Sequence, residues 1–221
     1  MKIYCMSDIH GCLWELEEAL SYVLEHLRED DTKLLFLGDY IHYGNENYEV
    51  LDRIMGLQEK YGDDKVIALM GNHEDMVLEG YNAINDDGND NEDDDKYINW
   101  MRGLPTYYAE GNTIFCHAGI DEEAGEDWEI GTSDEIFTGK YPADIGKIEG
   151  LDKKVVAGHV GTSSLVNDPK FHDIYYDGQS HYYIDGSTPE SGVLPILLVD
   201  TDKDKYYQVT DSGLEEVQEY K

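Results

Sequence analysis

Arginine is almost absent from this chain: only Arg28, Arg53 and Arg102 occur in 221 residues. Lysine does little to make up the deficit, because 16 basic residues face 49 acidic ones and leave a net charge of −33. So negative a surface repels polyanions, which argues against nucleic-acid binding. Long apolar runs are also missing. The longest, around Lys33–Leu37, is far too short to span a bilayer, and no membrane association is expected. The N-terminus, Met1-Lys2-Ile3-Tyr4-Cys5, has no apolar signal core and no small-residue cleavage site, so a cytoplasmic protein is expected. Cysteine is scarce and odd in number (Cys5, Cys12, Cys116), which disfavours a disulfide framework and fits reduced thiols.

What is present is a repeated pattern. Ile3–Asp8, Leu34–Asp39, Val66–His73, Thr113–His117 and Val155–His159 are each a short β-rich apolar run ending in Asp, Asn or His beside glycine. Helical periodicity separates the first three. Trp14–Leu27 carries Leu16, Leu20, Val23, Leu24 and Leu27 on one face, Tyr48–Tyr61 carries Val50, Leu51, Ile54 and Leu57, and a third helix, beginning at Asn72, is expected to continue over Asp75–Ile84. Such alternation implies layered α/β architecture with parallel strands. From Phe171 onward the chain turns to Tyr-rich strands at Asp173–Tyr176, Tyr182–Ile184, Val193–Val199 and Tyr206–Thr210, expected to form a second sheet. Asn85–Lys96 (NDDGNDNEDDDK) reads as a solvated acidic loop; it lacks the ligand order of an EF-hand. One domain over 1–221, with that loop at 85–96 near the site entrance, is expected.

In open α/β sheets ligands bind beyond the carboxyl ends of strands. Here those ends carry Asp8, His10, Asp39, Asn72, His117 and His159. Singly, each is more often structural than functional. Together, two carboxylates, a carboxamide and three imidazoles are too many polar groups to leave unpaired at a core edge. Two divalent cations would satisfy them jointly. Oxygen and nitrogen ligands without thiolate favour manganese, iron or zinc over calcium.

The segments Asp8-Ile9-His10-Gly11, Gly38-Asp39-Tyr40, Gly71-Asn72-His73-Glu74, His117-Ala118-Gly119 and Gly158-His159 resemble, in order, the signatures of the calcineurin-like metallophosphoesterases. The bacterial serine/threonine phosphoprotein phosphatases look nearest. The later Tyr183-Ile184-Asp185-Gly186 resembles the closing strand of that family.

The resemblance implies a sandwich of two mixed β-sheets flanked by helices, in α-β-β-α layers. It also implies residue roles. Asp8 and His10 would hold one metal, Asp39 would bridge two, and Asn72, His117 and His159 would hold the second. His73 would be the general acid. The metals would lower the pKa of a shared water from ~15.7 towards ~7, so that hydroxide attacks phosphorus directly.

Two departures from the family pattern stand out. The second signature reads Gly38-Asp39-Tyr40-Ile41-His42-Tyr43-Gly44, with His42 where the family has a second Asp and Tyr43 where it has Arg. Met70 and the segment Trp128-Glu129-Ile130-Gly131 also lack family arginines. Tyrosine cannot reproduce the bidentate guanidinium fork on phosphate. His42 can orient His73 but cannot supply negative charge, so a less basic His73 is expected. His42, Tyr43 and Lys140 are the expected substitute donors to substrate. The expected activity is hydrolysis of a phosphomonoester, such as a serine/threonine phosphoprotein. The alternatives are a nucleotide or phosphodiester hydrolase resembling a diadenosine tetraphosphatase, and a metal-binding scaffold with little catalysis.

Overall fold

The computed structural model describes residues 1–85 and 94–221. Eleven strands are present among them: β1 Lys2–Met6, β2 Thr32–Phe36, β3 Val66–Ala68, β4 Tyr107–Glu110, β5 Thr113–Cys116, β6 Lys154–Ala157, β7 Tyr175–Tyr176, β8 His181–Tyr183, β9 Leu197–Asp200, β10 Lys205–Thr210 and β11 Gly213–Glu216. The main helices are α1 Leu13–His26, α2 Asn47–Tyr61, α3 Asn72–Leu78 and α4 Asp94–Met101. The third helix begins at Asn72 as expected but ends six residues before its expected end, because Gly80 adopts φ +78 there, a left-handed conformation that closes the helix. The acidic run expected over 85–96, and its placement near the site, fall largely on 86–93, outside the described residues.

Two mixed sheets stack face to face. One has the order β11-β10-β9-β1-β2-β3 and the other β4-β5-β6-β8-β7. The late strands do not all join the second sheet as expected. β7 and β8 do, but β9 pairs antiparallel with β1, with β10 and β11 outside it. The reason is hydrogen bonding: β1 pairs β2 in parallel on one side only, and β9 satisfies the backbone of its other edge.

Alternation along each strand builds three apolar layers. Tyr4 and Met6 of β1 face α1, α2 and α4, while Ile3 and Cys5 face the other sheet. Leu35, Phe115, Val156, Leu197 and Val199 complete that middle layer. Ile114, Cys116, Val155 and Ala157 point to the far side, against Trp128 and Phe137. Strands buried on both faces explain why these runs read as continuous apolar stretches. Cys116, next to His117, is a fully buried small hydrophobe with its thiol pKa pushed up to about 12 by burial. Among the described residues no helix is long and apolar enough to cross a membrane.

A polar clamp ties the second sheet to its flanking segment. His181, 2% exposed on β8, pairs through Nδ1 with Asp177 Oδ2 at 2.8 Å and through Nε2 with Glu122 Oε1 at 2.7 Å. Burial alone would lower its pKa, but the two carboxylates outweigh it and push it up to about 9. The folded pKa therefore lies above the unfolded value of about 6.5, so this stabilisation is full below that value and is lost as pH rises towards 9. We expect the melting temperature of the protein to fall over pH 6.5–9.5 by more than that of a His181→Gln variant, with a difference worth about 3 kcal/mol. Parallel curves for the two proteins would refute the clamp.

Candidate active site

Six parallel strands, three per sheet, end at one rim: β1, β2 and β3 in one sheet, β5, β6 and β8 in the other. The residues just beyond them are Asp8, Asp39, Asn72, His117, His159 and Asp185. The two rims meet there. His117 Nδ1–H, from the second sheet, donates to Leu37 O of the first at 3.0 Å. Asp8 accepts the His159 backbone N–H at 3.0 Å. Close approach explains two glycines: a Cβ on Gly158 would lie 2.1 Å from Asp8 Oδ2, and one on Gly71 would lie 2.3 Å from Asp39 N.

The backbone is strained where the site forms. Asp8, His10, Asp39, His42, Tyr43 and His159 all take φ between +49 and +70. A non-glycine residue pays roughly 1–2 kcal/mol for that left-handed geometry, and such strain concentrates where a side chain must be aimed. Glu74 braces the arrangement from α3. Fully buried, it accepts the N–H groups of Asp39 (2.8 Å), Gly71 (3.0 Å) and Tyr40 (2.8 Å).

Asp39 is the hub. Its Oδ2 lies 3.3 Å from His117 Nε2, 3.6 Å from His10 Nε2 and 3.9 Å from His73 Nε2. Two groups of potential ligand atoms share it: His10, Asp39 and His73, and Asp39, His117 and His159. Asp8 adjoins the first, with Oδ1 3.9 Å from His10 Nε2, and Asn72 adjoins the second, with Oδ1 3.0 Å from His117 Nε2.

The donor chemistry fits cations. His10 Nδ1 and His117 Nδ1 are each spent on a backbone carbonyl, Ile41 O at 2.9 Å and Leu37 O at 3.0 Å. A carbonyl only accepts, so both Nδ1 atoms carry the proton and both Nε2 lone pairs face inward. There they meet carboxylate and carboxamide oxygens, an arrangement stabilised by positive charge at its centre, whether a metal cation or a proton on His117. Fixing the tautomer from outside is also how metal-binding imidazoles are commonly held.

The electrostatics of the cluster likewise call for positive charge. Burial opposes charge on Asp39, yet His117, His10 and His73 hold its carboxyl well below the usual range. Burial would lower the His117 pKa, but Asp39 and Asp8 raise it. Asp8 is pushed up to about 6, chiefly by burial. Burial, then the other imidazoles, lower His159 to about 4.

His42 and His73 touch directly, Nδ1 to Nδ1 at 2.6 Å. His42 Nε2 lies 2.8 Å from Ala83 O and must donate to it. With both rings neutral, His42 Nδ1 then accepts from His73 Nδ1–H, and His73 Nε2 faces the site as a lone pair. Burial lowers the His73 pKa to about 4, with His10 and His42 adding to the effect against Asp39.

The cleft has a volume of about 400 Å³ and is lined by Asp8, His10, Asp39, Asn72, His73 and His159 together with Tyr43, Met76, Asp185, Ser187, Pro189 and Glu190, while His117 lies buried behind it. Tyr43 is thus at the site. Lys140 is not among the lining residues; its ammonium is held by Ile120 O and Asp144. Asp185 was not expected at the site. It is 7% exposed and raised to about 8 by burial and by Asp8. The signal was legible, since Ile184-Asp185-Gly186 repeats the strand-end pattern of the other five.

Comparison with known proteins agrees with this geometry. The family model for calcineurin-like phosphoesterases matches residues 1–190. A symmetrical bis(5'-nucleosyl)-tetraphosphatase of Marinomonas sp. (strain MWYL1) is 32% identical over 130 residues, covering 54% of this chain and 45% of that protein. The enzyme of the same name from Methylococcus capsulatus is 29% identical over 155 residues, covering 66% and 52%. The chain therefore spans about half the length of these curated relatives. Among solved structures, the cold-active protein-tyrosine phosphatase of a psychrophile, Shewanella sp., superposes with a TM-score of 0.68 at 18% identity, covering 98% of this chain and 80% of that one. A serine/threonine phosphatase from Saccharomyces cerevisiae gives 0.61 at 14% identity, covering 100% and 81%. At such identities these two speak for the fold alone.

Proposed function

Because this chain belongs to the calcineurin-like phosphoesterases, we propose that it is a metal-dependent hydrolase of phosphoanhydrides, with a dinucleoside polyphosphate as substrate. Asp8, His10 and Asp39 would hold one divalent cation, and Asp39, Asn72, His117 and His159 a second. Cations bound there would supply Lewis-acid stabilisation of phosphoryl oxygens and a more acidic water. Manganese, iron or zinc suits this oxygen and nitrogen set. Three free thiols suit a reducing cytoplasm. The C-terminal strands close the sheet that begins at β1, which supports one domain over 1–221.

The phosphomonoester expectation gives way to the nucleotide alternative. The curated relatives bear tetraphosphatase names. The observation that carries the choice is the His42–His73 contact. Held as an acceptor at Nε2, His73 has no proton ready for a departing alkoxide. A serine or threonine alkoxide needs that proton. A nucleotide leaves as a phosphate anion and does not.

The test is a substrate panel with manganese-loaded protein. Diadenosine tetraphosphate should be hydrolysed far faster than a phosphoserine peptide; the reverse order would overturn the reading. His42→Asp provides a second check. Asp tolerates the φ of +70 at that position and gives His73 Nδ1–H an anionic acceptor. General acids contribute about 10²–10⁴-fold, so alkyl phosphate turnover should rise at least about tenfold relative to diadenosine tetraphosphate. An unchanged ratio would make His42 incidental.

A further inference from the structure

An anionic substrate in this cleft would find little cationic help from the side chains that line it. Among the described residues its lining holds no lysine or arginine but does hold Asp185 and Glu190. Beyond the scissile phosphoryl group, further phosphates therefore meet no side-chain cation, and affinity has to come from another part of the substrate.

Tyr43 is placed to supply it. The preceding Tyr40, Ile41 and His42 are buried, whereas Tyr43 is 66% exposed and lines the cleft. Its outward position is built rather than incidental. His42 and Tyr43 take consecutive left-handed conformations, φ +70 and +67. His10 O accepts the Gly44 N–H at 2.8 Å, and Asn47 Oδ1 accepts the His42 N–H at 3.0 Å, which holds that turn shut. The ring rests on His10 at 4.9 Å and 64° and on His73 at 5.1 Å and 62°. Both contacts are edge-on, and at 66% exposure Tyr43 keeps ring surface accessible to a planar group. Met76 and Pro189 add apolar surface to the same cleft.

We propose that Tyr43, with Met76 and Pro189, forms a subsite for a substrate nucleobase, and that Tyr43 determines specificity by stacking rather than by contacting phosphate. This rests on the nucleotide reading given above. Base–aromatic stacking is sequence-tolerant and needs only an accessible ring face.

Calorimetric titration of the manganese-loaded protein tests this, with three probes: a methylene-bridged diadenosine tetraphosphate analogue, inorganic tripolyphosphate and free phosphotyrosine. Tyr43→Ala should weaken the analogue about tenfold and leave tripolyphosphate within about twofold, while Tyr43→Phe, which keeps the ring, should match the parent protein. If Tyr43→Ala weakens both phosphates equally, or neither, the subsite is refuted. If the parent protein cleaves diadenosine tetraphosphate and Tyr43→Ala still binds the analogue unchanged, only the subsite falls. If the parent protein prefers phosphotyrosine and does not cleave diadenosine tetraphosphate, the nucleotide reading falls with it.

Discussion

Asp39→Asn is expected to lower phosphoesterase turnover by at least about a thousandfold and to reduce bound metal from two ions to one or none. The loss corresponds to about 4 kcal/mol of transition-state stabilisation. The substitution keeps the shape and can keep the Oδ1 contact that accepts the His73 N–H at 3.0 Å. What it removes is the negative charge facing three imidazoles within 3.9 Å. An amide placed there offers one weak ligand oxygen and one N–H₂ group pointed at nitrogen lone pairs. Metal content by mass spectrometry, measured beside turnover, separates loss of metal from loss of fold. A variant retaining both metals and full turnover would dismiss Asp39 as the bridge.

Glu74→Ala is expected to cost about 2–4 kcal/mol of stability, a fall of about 10 °C in melting temperature for a chain of this size. Two effects compete. Burial, then Asp39, raise the Glu74 pKa to about 7, so holding its charge inside is itself costly and alanine relieves that cost. Against this, three backbone N–H groups lose a charged acceptor in a fully buried place. Bonds to charged groups contribute about 1.5–3 kcal/mol each, so three of them outweigh the relief. Because two of the three belong to Asp39 and Tyr40, the left-handed turn at Asp39 should loosen as well, and metal affinity should fall with stability. Differential scanning calorimetry and metal titration read the two losses separately. A variant as stable as the parent protein would show that water replaces the carboxylate without penalty.

Both effects trace to the strand ends, and those were legible from the amino-acid order. A run of alternating apolar residues that stops at Asp, Asn or His beside glycine encodes locally both the strand and the turn that ends it. That is why Asp8, His10, Asp39, Asn72, His117 and His159 could be named before any coordinates, and why Asp185, which obeys the same rule, could have been. The scarcity of arginine was equally plain, and among the described residues the cleft lining has neither arginine nor lysine.

Other features are not local. Lys140 was read as a donor to substrate, but nothing in its flanking residues tells that Ile120 O and Asp144 capture its ammonium instead. The Tyr-rich strands of the C-terminal third look alike in pattern, yet they divide between the two sheets. Side-chain periodicity specifies that a strand has an apolar face; it does not specify which open edge will pair with it.

The layered α/β architecture, the polar residues gathered at the strand ends and the scarcity of arginine were all legible in the amino-acid order, because each is written in short-range pattern and composition. Long-range packing, by contrast, sets β9 against β1 and brings His42 to His73 while tying it to Ala83 O. It alone decided that Tyr43 stands exposed over His10 and His73. Those outcomes join residues about 30 to 200 positions apart. They are settled by which backbone edges and buried polar atoms can satisfy one another in space, and no local propensity encodes that.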